Sequence, residues 1–499
     1  MNNISDKIYT TLADIMGLSL FSALKDHPIL GALRELLDDL SEEKDEEPMY
    51  GLPDTYLEIA EDWAAFISAF IQTQREYSLY ITLGYLILSD DNPYTFAAEN
   101  QENPPTMLCA LAKTDLSRLG RIASFEIHSL GFHIAEILRK NGLGDIAGNI
   151  EEESRVLWSA EGKKIHGESS PTILKLFPEN TNWGASLPAL TEYLRANGAG
   201  ILGQYHCFIR APEFFAQEFS RRHGFVDFAV EGFPRPFSLS LQPVRNPDPV
   251  TLADFSGYED QRSIVVANTR RFLEGKGANN LLLYGDRGTG KSATVKAVCN
   301  EYADRGLKLI ELTKADLDEL SEIMEALSAR SRRFILFIDD LSFESTDDSF
   351  RNIKALLEGG VESRPANVVI YATSNRRHLV KERLADRPTA AQAAESVDSG
   401  DLRAFDTMQE QFSLADRFGV TVVFTSPSQE EYLRIAEHIA CRRRVLPDLL
   451  DGETRARFQE NALRWEKWFN GRSPRTAVQY VDWIAGGGGL TGGIRFPWE

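Results

Sequence analysis

The chain has 499 residues, which at roughly 150 residues per domain allows two to four domains. Hydrophobic residues make up 43% and charged residues 26%, ordinary for a soluble globular protein with ample material for cores. The formal charge of -20 is uneven: residues 1–250 hold 20 Lys and Arg against 36 Asp and Glu (-16), residues 251–499 hold 34 against 38 (-4), so the N-terminal half repels phosphate backbones and is excluded as a non-specific nucleic-acid binder.

Met1 to Thr10 has no basic segment followed by an apolar run, so no signal peptide is expected and the location is read as cytoplasmic. Residues 1–235 read as a mainly helical domain. Leu57, Ala60, Trp63, Ala64 and Ile67 recur at helical spacing, as do Leu119, Ile122, Ala123, Ile127 and Leu130. The acidic run Glu42 to Glu47 reads as a solvated loop. The most apolar stretch, Trp63 to Ser89, is interrupted by Gln72, Thr73, Gln74, Arg75 and Glu76. It reads as a buried helix pair, not a membrane span. The histidines His27, His128, His133, His166, His206 and His223 are scattered, and His128 and His133 have a poor spacing for a shared metal. Cys109, Cys207, Cys299 and Cys441 form no CxxC pair and read as buried small residues of a reducing compartment.

Five prolines between Pro234 and Pro249 block helix, and residues 236–250 read as an inter-domain linker. From 251 to 427 the pattern alternates. Apolar runs at Leu281–Tyr284, Leu307–Leu312, Phe334–Ile338, Val368–Ala372 and Val420–Phe424 predict strands separated by helices, hence a parallel sheet covered on both faces. Residues 385–412 read as a surface insertion. Residues 428–485 read as a small helical bundle and 486–499 as a Gly-rich tail.

Gly285-Asp286-Arg287-Gly288-Thr289-Gly290-Lys291-Ser292 fits GxxxxGK[ST] between a predicted strand and a predicted helix. Average composition gives about 0.02 chance matches in a chain this long, so the motif is specific by itself. Its glycines let backbone N–H groups close around phosphate oxygens at a helix N-terminus. Lys291 would reach the β- and γ-phosphates and Ser292 would ligate Mg²⁺. The run Phe334–Ile338 ends in Asp339 and Asp340, carboxylates at a strand's C-terminal edge, where ligands bind in such sheets. Asp339 would hold Mg²⁺ through water and Asp340 would polarise the attacking water, with Glu344 close enough to compete for that role. Asn375, after the strand Val368–Ala372, is placed to reach the γ-phosphate or the lytic water.

Arg417 precedes the last strand, where a neighbouring subunit could receive it or Asp416 could pair with it. Arg475 opens the last helix and either reaches back to the nucleotide or is solvated. Arg330-Ser331-Arg332-Arg333 and Arg442-Arg443-Arg444 are candidate nucleic-acid contacts, although such runs are more often solvated helix ends. NKxD is absent, so nothing specifies guanine, and Leu312 to Leu320 holds no aromatic-apolar-Gly pore loop.

These elements, in this order over residues 249–485, resemble the AAA+ ATPase superfamily. Asp339-Asp340 is similar to the replication initiator and helicase-loader branch. Phe255-Ser256-Gly257-Tyr258-Glu259, Leu283 to Ser292, and Ser413 to Gly419 look more closely like a bacterial AAA+ family catalogued as a domain of unknown function. The resemblance implies an αβα nucleotide domain with a helical lid, ATP and Mg²⁺ as ligands, and assembly into a homo-oligomeric ring. It also implies roles for single residues: Asn375 sensing the γ-phosphate, Arg417 acting as a finger from a neighbour, Arg475 as lid sensor, and Gly257 and Tyr258 lining the adenine pocket. ATP hydrolysis coupled to an unidentified protein client is the expected function. An ATP-held switch with little turnover and a DNA-associated initiator or loader are the rivals.

Overall fold

The computed structural model describes residues 4–42, 53–72, 79–162, 171–178, 182–210, 241–341, 364–375, 417–446, 452–469 and 471–487. The chain divides into two compact units, Met1–Gln204 with Ala211–Gln242, and Tyr205–Arg210 with Pro243–Glu499. The acidic residues Glu43 to Glu47, Glu344, the stretch 385–412, Ser413–Asp416 and the tail from 488 lie outside the described residues.

The described residues of the first unit up to Gln204 are built from helices. In the helix Pro53–Gln72 the buried stripe is Ile59, Trp63, Phe66, Ile67 and Phe70, whereas Ala64 faces out. The large aromatic side chains, with the most area to bury, set the face. The second expected pattern, Leu119 to Leu130, is broken at Ser124–Glu126 into two helices, Thr106–Ala123 and Ile127–Lys140. Leu119, Ile122, Ile127 and Leu130 are nevertheless all buried in one core. None of the described helices is long and apolar enough to cross a membrane.

The second unit is organised by a sheet of β1 (Cys207–Arg210), β2 (Leu241–Pro243), β3 (Leu281–Gly285), β4 (Leu307–Leu312), β5 (Arg333–Ile338), β6 (Val368–Ser374) and β7 (Val420–Phe424). Their order is β2-β1-β4-β5-β6-β3-β7. The pairs β1/β4, β4/β5, β5/β6, β6/β3 and β3/β7 are parallel. Every residue of β6 is buried, and so is β5 after Arg333. These central strands, covered on both faces, therefore read as unbroken apolar runs.

Five strands are the expected ones. β1 falls in the stretch read as helical, and β2 in the stretch read as linker. Four residues, Cys-Phe-Ile-Arg, are too few to tell strand from helix by period. Pro243 is tolerated because β2 is an edge strand.

Placement of β3 between β6 and β7 brings the ends of β3, β5 and β6 to one edge. The Gly-rich motif follows β3 at this edge and leads into the helix Lys291–Tyr302. Three helices, Gln429–Arg442, Gly452–Trp468 and Pro474–Ala485, follow β7 and close around Tyr432, Ile435, Phe458, Trp465 and Tyr480. Ser428 and Ser473 cap the first and last of them, accepting from Glu431 N and Thr476 N.

Candidate functional site

The Gly-rich loop is shaped by two close approaches. Gly285 ends β3 at φ 138°, and a Cβ there would stand 2.0 Å from the Phe424 carbonyl oxygen. Gly288 has φ 74°, and a Cβ there would meet Ser473 Oγ and Arg475 Cβ at 3.0 Å. Only glycine fits either position. Asp286 fastens the loop to the residues after β7: its N–H donates to Phe424 O at 2.9 Å. Its carboxylate accepts from Ser426 N at 2.8 Å and Ser426 Oγ at 2.6 Å. Arg287 is exposed, and Thr289 is buried with Oγ1 donating to Asp286 O at 2.8 Å. Gly290 caps the helix Lys291–Tyr302, whose first N–H groups form the anion-attracting end of the helix dipole.

Lys291 is 5% exposed. Its Nζ donates to Gly285 O at 3.2 Å and Asp286 O at 2.7 Å. Burial pushes its pKa down to about 8, against the opposing pull of the Asp286, Asp339 and Asp340 carboxylates and with the help of the Arg475 charge. Among the described residues the ammonium's hydrogen bonds are to loop carbonyls, an arrangement an entering phosphate can replace.

The acidic edge lies opposite. Asp339 Oδ1 accepts from Ser292 Oγ at 2.6 Å and from Thr373 Oγ1 at 2.5 Å. Asp340 turns the chain at φ 50°. Its N–H donates to Thr373 Oγ1 at 2.9 Å, and its Oδ1 accepts from Asn375 Nδ2 at 2.7 Å. A hydroxyl and a carboxylate in contact are hard oxygen donors, and one or two such groups fit Mg²⁺, which keeps most of its water and takes the rest from phosphate.

The segment before the helix Glu259–Leu273 lies between loop and lid. The Tyr258 ring packs on Phe424 at 5.4 Å and its hydroxyl donates to Thr425 O at 2.7 Å; burial raises the phenol pKa. Gly257 at φ 76° leaves 3.1 Å between a would-be Cβ and Ile435 Cδ1 of the lid. Arg262 holds this segment, donating to Gly257 O and lying 5.0 Å over the Phe255 ring.

Arg475 is exposed at the lid edge, and its N–H donates to Gly288 O at 3.1 Å. Arg417 stands apart. β7 runs parallel to β3 with Phe424 paired to Gly285, so Arg417, three positions before β7, is at the opposite end of the sheet from the Gly-rich loop. β7 alone spans about 13 Å.

Residues 230–488, just over half of the chain, match the family model described as "Protein of unknown function (DUF815)". The chain belongs to this family. No curated protein matches it. Among solved structures the chain is similar to variants of RuvB from Thermotoga maritima. One has a TM-score of 0.29 and 15% identity, covering 47% of this chain and 63% of that one. Another, described as a Holliday junction branch migration motor, has a TM-score of 0.27 and 14% identity, covering 48% of this chain and 72% of that one. The chain thus spans less than two thirds of the first of these proteins.

In this DUF815 chain Arg330 is buried. Arg333 lies 5.2 Å over the Phe272 ring and donates to Ala366 O at 3.1 Å. Arg442 pairs with Asp254 at 2.6 Å, and Arg443 pairs with Asp482. Arg442, Arg443 and Arg444 are exposed at a helix end. No group of three His, Cys, Asp or Glu that could hold a metal occurs among the described residues. Thr373, Ser426, Ser473 and Arg262 had no signal of their own in the sequence. Only the meeting of β6, the end of β7 and the lid with the loop shows what they touch.

Proposed function

We propose that this chain binds ATP with Mg²⁺ at Gly285–Ser292, hydrolyses it, and uses turnover to remodel or load a protein partner engaged through the N-terminal region, residues 1–235. The observation that carries this reading is the convergence of Lys291, Ser292, Asp339, Asp340 and Asn375 at one sheet edge. Loop N–H groups and the helix terminus hold the phosphates, and Lys291 leaves the carbonyls of Gly285 and Asp286 for phosphate oxygens. Ser292 and Asp339 would hold Mg²⁺, which when bound would supply neutralisation of phosphate charge. Asp340 orients and polarises the attacking water, and Asn375 moves between Asp340 and the γ-phosphate. Gly257 and Tyr258 line the adenine side, and Arg475 reaches the phosphates from the lid. Arg417 serves a neighbouring subunit's site in a ring. Catalysis is positioning and charge stabilisation without a covalent intermediate.

The test is phosphate release from Mg-ATP. Asp340→Asn is expected to retain ATP and lose about 100-fold or more in turnover, the range of a removed general base. Normal turnover in that variant, with loss in Glu344→Gln, moves the role to Glu344. A nucleotide-held switch is the second reading, favoured by the Asn375–Asp340 hydrogen bond, which occupies the water-activating carboxylate. Single-turnover hydrolysis separates the two: a switch leaves bound ATP intact over many minutes.

A further inference from the structure

Thr373 is 1% exposed and sits in β6, paired with Leu283 of β3. A hydroxyl this deep must be hydrogen-bonded, and this one is used twice. It donates to Asp339 Oδ1 at 2.5 Å and accepts from Asp340 N at 2.9 Å. The Thr373 carbonyl then accepts from Leu341 N at 2.7 Å. Three consecutive residues beyond β5 therefore hang on one residue of the neighbouring strand.

Two consequences follow for the acidic edge. Ser292 Oγ and Thr373 Oγ1 both donate to Oδ1 of Asp339, and the Asp340 N–H, shared with Thr373 Oγ1, reaches the same oxygen at 3.2 Å; among the described residues nothing donates to Oδ2. Two hydroxyl donors and a shared N–H on one oxygen fix the rotation of the carboxylate. In addition, Asp340 holds a left-handed conformation at φ 50°, which is disfavoured for a residue with a Cβ and persists where neighbours over-determine it. The Thr373 hydroxyl is the acceptor that fixes that turn.

We propose that Thr373 is a positioning residue for the Mg²⁺ of the nucleotide site: its single hydroxyl sets the Asp339 carboxylate and the Asp340 turn together. This rests on the reading of Gly285–Ser292 as an ATP site. Valine has the shape of threonine without the hydroxyl, so Thr373→Val removes both hydrogen bonds and keeps the packing, and Thr373→Ser keeps both. A residue that only satisfies itself in the core would affect stability and leave ion dependence alone.

The experiment titrates the full-length protein with a fluorescent ADP, first in EDTA and then against rising MgCl₂, with circular dichroism on each variant. For Thr373→Val, affinity in EDTA stays near the wild-type value while the Mg²⁺ midpoint rises about 10–100-fold, the usual effect of losing a group that orients a metal ligand. Thr373→Ser returns the midpoint to the wild-type range. If Thr373→Val does not fold, Thr373→Ala carries the same expectation. A wild-type Mg²⁺ midpoint in the hydroxyl-free variant, or a Thr373→Ser protein as impaired as Thr373→Val, overturns this inference alone. A wild-type protein whose nucleotide binding ignores Mg²⁺ overturns it together with the site reading it rests on.

Discussion

The two units bury charge on opposite terms. In the helical unit Asp115 is completely buried, and its carboxylate accepts from the N–H groups of Ser19, Leu20 and Phe21 and from Ser19 Oγ, with Arg118 at 3.3 Å. That charge is fully answered inside the fold. In the sheet unit Lys291 is nearly as deep, yet among the described residues its ammonium donates to two loop carbonyls and feels the Asp286, Asp339 and Asp340 carboxylates only at a distance. The difference teaches where each charge is needed. Asp115 holds a chain segment in place, whereas Lys291 is a desolvated cation at a helix N-terminus, and on the proposed reading its task is to meet a phosphate.

The largest effect expected concerns Arg417, which on the proposed reading serves a neighbouring subunit's site. Arg417→Ala should bind ATP and lose about 10³-fold or more in turnover, as fingers do. Lys291→Ala should be inactive because its own pocket is empty, with Arg417 intact. Mixing the two should restore phosphate release, and wild-type specific activity should rise with protein concentration. Co-assembled mixtures that stay inactive would make Arg417 a residue of its own subunit's structure.

Next in size is Asp115→Ala, which leaves three N–H groups without their acceptor. Breaking such a network costs about 3 kcal/mol or more. Hydrogen exchange over Leu18–Leu24 should accelerate by roughly 100-fold while ATP binding is kept. Unchanged exchange would remove the contrast between the units.

The smallest effect is a pH dependence. Burial holds Lys291 at about 8, below its ordinary value, and a bound phosphate would raise it. Nucleotide binding should therefore take up a proton above pH 8 and none near pH 7, and affinity should fall about fivefold from pH 8 to pH 9. Calorimetry in buffers of different ionisation enthalpy reads this directly, and equal proton uptake at pH 7 and pH 9 contradicts it.

The sequence was most legible where one local pattern carried the whole signal. β4 and β7 were read to the residue, and the Gly-rich loop was legible because its glycines and lysine must be contiguous. The carboxylate edge was half legible: Asp339 and Asp340 end an apolar run, but Thr373 is an ordinary strand residue until β5 and β6 are paired. β1 was not legible, because four residues carry no period and its partner β4 lies some hundred residues later. The basic clusters were legible as helix ends but not in their pairing: Arg442 is drawn to Asp254 and Arg443 to Asp482, which only the fold brings near.

The claim that Lys291 is kept for a ligand is tested most directly by titrating fluorescent ATP into wild type and Lys291→Ala while following circular dichroism and thermal melting. The account predicts that the variant loses ATP binding, since the cation facing the phosphates is gone. It also predicts that the variant melts no lower than the wild type, since only two carbonyl contacts and a costly desolvation are removed with it. Undiminished ATP affinity, or a variant that unfolds, would contradict it.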